Sequence, residues 1–98
     1  MLKDDIQDNM IYLKTYTLRN KDISEIKNDI KKQMILIIRI TPLAQRDVDD
    51  LRIVIEDLYK SVSTIGGDIS RLGEERIIIT PPNVKIWHKD DDKLNNVI

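Results

Sequence analysis

The chain has no cysteine, no phenylalanine, one histidine, and only three glycines and three prolines among its 98 residues. Without cysteine there is no disulfide framework, no thiolate nucleophile and no Cys-based zinc site, so a cytoplasmic address is expected. A dominant charge is lacking too: 16 Lys and Arg against 17 Asp and Glu leave a formal net charge of −1. That balance argues against nucleic acid as a partner, because such binding draws on clustered basic side chains. Long hydrophobic runs are also missing. The longest, Met34 to Ile38, is strand-sized and far short of a membrane span. Met1-Leu2-Lys3-Asp4-Asp5 has neither the basic start nor the apolar stretch of a signal peptide.

What remains is 41% hydrophobic and 34% charged, the composition of one globular domain with a core of branched aliphatic side chains. Ile11 to Leu18 is rich in β-branched and aromatic residues and reads as a strand. Asp22 stands three residues before Glu25, the spacing of a capping box. Ile23, Ile26 and Ile30 follow at helical spacing. Met34 to Ile40 is nearly all apolar, as in a central strand. Thr41-Pro42 opens the longest element, a helix predicted to run to about Ile65 with Ala44, Val48, Leu51, Ile55, Leu58 and Val62 along one stripe. Gly66-Gly67 ends it, with at least one glycine expected at positive φ. Asp68 to Leu72 and Arg76 to Thr80 form a hairpin about a turn at Gly73, Pro81-Pro82 stops it, and Asn83 to Trp87 reads as a short last strand. The expected fold is α/β, a two-layer sandwich in the order β-α-β-α-β-β(-β), with two helices on one face of a small mixed sheet. Three segments follow: residues 1–10 leading in, a core at 11–88, and a solvated tail at 89–98.

Catalytic groups do not assemble in this pattern. His88 is alone near the end of the chain. Asp47, Asp49, Asp50, Glu56 and Asp57 have the spacing of a solvated helix face. Asp90, Asp91 and Asp92 lack the spacing of a calcium loop. The glycines are turn glycines with no phosphate-loop lysine behind them. Ser61, Ser63 and Ser70 have no histidine for a triad. The reading is a non-enzyme with no cofactor and no metal site. Two apolar side chains break their local pattern. Ile53 points away from the helix stripe among charges and is read as a homodimer contact; Trp87 points outward on the last strand.

The segment Ile65-Gly66-Gly67-Asp68-Ile69-Ser70-Arg71-Leu72-Gly73, followed by Ile77-Ile78-Ile79-Thr80-Pro81-Pro82-Asn83-Val84, resembles the signature of the SepF family of cell-division proteins. That family carries a glycine-aspartate turn, an Arg-x-Gly turn, an apolar strand and a Thr-Pro-x-Asn-Val close, so Gly66, Gly67, Asp68, Gly73 and Pro81 fall on its structural turns. The likeness spans roughly residues 11 to 87, and the long helix between Arg46 and Gly66 resembles the archaeal branch. The resemblance implies a homodimeric adaptor that binds the C-terminal tail of FtsZ and helps tether the division ring to the inner face of the membrane. It puts tail-binding positions near Ala44 and Ile77. The amphipathic lipid-binding helix usual in the family is not evident: Leu2, Ile6 and Met10 form a thin stripe beside Asp4, Asp5 and Asp8, so contact with the membrane is not expected through this chain. The competing reading is a small dimeric α/β ligand-sensing or regulatory domain, which needs a pocket with convergent polar groups.

Overall fold

The computed structural model describes residues 10–87. Four strands form one mixed sheet: β1 (Leu13–Thr17), β2 (Ile35–Arg39), β3 (Asp68–Leu72) and β4 (Arg76–Thr80), in the spatial order β1-β2-β4-β3. β1 and β2 are parallel, joined through helix α1 (Ile23–Lys31), and the other two pairings are antiparallel. β1 is shorter than its apolar run suggests, but its ladder continues through the Leu18 N–H, which donates to the Arg39 carbonyl at 2.8 Å. The core is almost entirely aliphatic. Leu36, Ile38, Ile77 and Ile79 point from the two central strands toward Ile26 and Ile30 of α1 and toward the long helix. The alternate positions Ile35, Ile37 and Ile78 lie on the opposite face, which carries no helix among the described residues, and are only half-buried.

Three local outcomes differ from expectation, each for a physical reason. The Asp22 side chain makes no capping bond; a short 3₁₀ turn (Asn20–Asp22) leads into α1, and the Glu25 carboxylate pairs with Lys14 instead. The predicted single helix from Thr41 is two: α2 (Thr41–Arg46) and α3 (Val48–Thr64). Asp47 between them is extended, and its Oδ1 accepts from the N–H groups of Asp49 and Asp50, both at 3.1 Å. A side-chain acceptor there satisfies the new helix start, so the chain can change direction at little cost. The predicted last strand does not form. Residues 83–87 follow a turn in which the Val84 N–H donates to the Pro81 carbonyl at 3.0 Å, and no strand pairs with them among the described residues.

The end of α3 follows its glycines closely. Gly66 takes φ +76, its N–H donates to the Ser63 carbonyl, and the Gly67 N–H reaches back to the Val62 carbonyl. These are the paired bonds of a Schellman cap. Gly73 at φ +74 turns the β3–β4 hairpin. His88, the tail 89–98 and all of the leading segment but Met10 lie outside the described residues.

Candidate functional site

Helix α3 carries more apolar surface than the core requires. Val54, Leu58 and Val62 are buried at successive helical turns. Beside them runs a second stripe, Val48, Leu51, Ile55 and Tyr59, rotated toward strand β3; Leu51 and Ile55 are half-buried, and Val48 and Tyr59 are 59% and 54% exposed. The six-residue stripe read from the sequence mixed the two. Val54 belonged to the core, and Val48 did not.

The second stripe forms one wall of a groove whose other side is the β3 edge of the sheet. Toward the start of α3 lies a cavity of about 250 Å³ with Ile40 and Ile77 inside it, Val48, Leu51 and Ile55 along the helix, and Arg52 and Arg71 also lining it. It adjoins, through Ile55, a wider cleft of about 550 Å³ bordered by Tyr59, Ile69, Glu56, Lys60 and Asp68. The cavity near the start of α3 is lined mainly by aliphatic side chains, whereas the wider cleft mixes Ile55, Tyr59 and Ile69 with the charged Glu56, Lys60 and Asp68. Both arginines are loosely held: Arg52 is 3.5 Å from the Asp49 carboxylate with both side chains exposed, and Arg71 donates to the Glu74 carbonyl at 3.3 Å. An exposed ion pair like that of Arg52 contributes little, and the exposed bond of Arg71 to a backbone carbonyl is long, so either guanidinium can turn to a ligand. Among the described residues β3 is an edge strand, beyond which no further strand pairs.

Of the positions singled out in the sequence, Ile77 is in the groove, with its side chain 2% exposed. Ala44 is half-buried on α2 and does not line either cavity. Ile53 lies on the outer side of α3 and is 64% exposed, and Trp87 is 89% exposed. The groove residues of α3, together with Arg52 and Arg71, were missed. Their signal was an apolar arc on α3 too wide for one buried face.

A second polar cluster ties α1 to β1. Lys14 Nζ donates to Glu25 Oε2 and to Asp29 Oδ2, each at 2.9 Å, and the Tyr16 hydroxyl donates to the same Asp29 oxygen. Asp29 is 3% exposed, and the Lys14 ammonium lies 5.0 Å from the centre of the Tyr16 ring. The hydrogen bond to Glu25 holds the Lys14 pKa well above that of a free lysine, while the same bond lowers that of Glu25. Burial, then the bond to Asp29, pushes Tyr16 up to about 12. A lysine kept protonated is no nucleophile, so the cluster is a structural clamp. Among the described residues no group of three or more His, Cys, Asp or Glu could hold a metal ion, and no helix is long and apolar enough to cross a membrane.

Comparison with known proteins places the chain among relatives of one family. The family described as "Cell division protein SepF" matches residues 14–86. The SepF-like protein from Pyrococcus furiosus superposes with a TM-score of 0.73 at 26% identity, covering 84% of this chain and 100% of that one. The SepF-like protein from Archaeoglobus fulgidus gives 0.74 at 27% identity, covering 82% of this chain and 96% of that one. No curated protein matches the sequence.

Proposed function

The chain belongs to the SepF family of cell-division proteins, and from that premise we propose that it is a non-enzymatic adaptor holding the C-terminal tail of FtsZ in the groove between α3 and β3. One observation carries this reading: in a chain of this family, an aliphatic stripe of α3 faces an edge strand across a groove containing the buried Ile77. A short peptide that is disordered when free needs such a surface. It gains affinity by burying a few apolar side chains, and Arg52 and Arg71 can take its carboxylates. Two adjoining cavities that share Ile55, one of them lined mainly by aliphatic side chains, favour a peptide over a small polar effector.

The adaptor acts in this proposal as a homodimer at the inner face of the membrane at the division site, with Ile53 as a contact between copies. It helps tether the division ring to that membrane. Titration calorimetry with a synthetic FtsZ tail peptide tests the groove. Binding on the order of micromolar is expected for the wild type and a loss of at least about tenfold for Ile55→Glu. Equal binding by a folded Ile55→Glu protein removes the groove from the account.

A further inference from the structure

We propose that the helix-free face of the sheet carries a second site, independent of the tail groove, in which Arg39 and Arg76 together bind a phosphate-class oxyanion. Arg39 of β2 and Arg76 of β4 are direct partners across the antiparallel ladder, so their side chains leave the same face side by side. Thr17 is the partner of Arg39 on its other side. Thr15, Thr17 and Ile37 line, with the two arginines, a cavity of about 360 Å³. Because strand side chains alternate, Arg76 faces away from the groove that holds its neighbour Ile77.

Directly opposed like charges destabilise a sheet. Four other cations lie near carboxylates, Lys14 near Asp29, Lys27 near Asp57, Arg46 near Asp50 and Arg52 near Asp49, and of the cations that form no ion pair these two stand directly opposite each other in the sheet. Arg39 and Arg76 have no hydrogen-bonded or ion-paired side-chain partner among the described residues. A bound oxyanion would convert this repulsion into two charge-assisted contacts. The donor set selects its class. Two guanidinium forks and the neighbouring threonine hydroxyls offer more donors than the two oxygens of a carboxylate can engage, whereas a tetrahedral phosphate can bridge both forks and still accept from a hydroxyl. The phosphate can be free in solution or belong to a lipid headgroup; the chemistry at the arginines is the same.

Thermal melting of the full chain tests the proposal with inorganic phosphate, acetate and chloride at matched ionic strength. In chloride, Arg76→Gln and Arg39→Gln should melt at or above the wild-type temperature, because the repulsion is relieved. Phosphate about tenfold above its dissociation constant should raise the wild-type midpoint by roughly 5 °C or more and leave both variants nearly unmoved. Arg39→Lys, which keeps the charge and loses the fork, should respond weakly. Flotation with phosphatidic acid vesicles then identifies the source. Wild type that floats when neither glutamine variant does assigns the site to a headgroup, and a phosphate-sensitive melt without flotation assigns it to a soluble anion. An equal phosphate response in the variants, or acetate as effective as phosphate, overturns the proposal. So does a wild-type midpoint that rises with protein concentration but not with phosphate, since the arginines would then face a second copy of the chain.

Discussion

A Cβ built on Gly67 would run into the carbonyl oxygen of Thr80, whose strand partner is the next residue, Asp68. Its neighbour Gly66 has open space at the same position but a φ of +76. The adjacent glycines are therefore required for different reasons, one for room and one for handedness. Gly66→Ala should cost about 1–2 kcal/mol, the penalty of a left-handed backbone. Gly67→Ala must displace the end of β4 and should cost more, on the order of 3 kcal/mol. Urea denaturation of both variants checks the order. A Gly67→Ala protein as stable as Gly66→Ala would show that β4 yields easily.

Gln33 marks the opposite situation, a left-handed position without a glycine. It follows α1 at φ 64, and its N–H donates to the Ile30 carbonyl at 2.9 Å. Gln33→Gly keeps that backbone bond and removes the Cβ strain, so it should stabilise the protein by about 1 kcal/mol. With a domain of this size, the melting temperature should rise by ~4–8 °C. A fall instead would mean that the glutamine side chain offsets its own strain.

The clamp between β1 and α1 should make stability depend on pH at both extremes. The pKa values of Tyr16 and Lys14 are both raised in the folded state. Their contribution is complete below the unfolded pKa values and is lost as pH rises, for Tyr16 between 10.0 and about 12. The lowered pKa of Glu25 acts on the acid side, contributing above its unfolded value and fading as pH falls through the folded one. Urea midpoints should therefore be flat near neutrality and decline above about pH 10. Tyr16→Phe should flatten part of the alkaline decline; a variant with an unchanged alkaline profile would separate that decline from the clamp.

Ile53 is 64% exposed on the outer side of α3, the position proposed for a contact between copies. Ile53→Glu would place a charge where an interface excludes water and should weaken association by about 2 kcal/mol or more. Light scattering across a concentration series should show the variant dissociating at concentrations where the wild type is dimeric. If both are dimeric at low micromolar protein, the contact is on another face.

Much of this fold was legible in the sequence because its signals were local. The apolar run at Met34–Ile40, the proline at the start of α2, the glycine pair after α3 and the hairpin about Gly73 each specify their own backbone. The errors arose where tertiary contacts outweighed local preference. Glu25 satisfied the spacing of a capping box but found Lys14, a partner eleven residues earlier that only the fold brings near. Asn83 to Trp87 had strand-like residues but no strand to pair with among the described residues. Ile77, singled out through the family resemblance, lines the groove, whereas the α3 groove wall could not be separated from the core stripe until β3 showed which side of the helix it faces.

Whether the FtsZ tail binds in the proposed groove between α3 and β3 can be read residue by residue in an NMR titration. Isotope-labelled protein would be titrated with unlabelled synthetic tail peptide, following amide and methyl signals. The account predicts saturable shifts centred on Val48, Leu51, Ile55, Arg71 and Ile77, with Thr15 and Ile37 on the far face of the sheet unmoved. No shifts at millimolar peptide, or shifts centred on Thr15 and Ile37 with the α3 stripe unchanged, would contradict it.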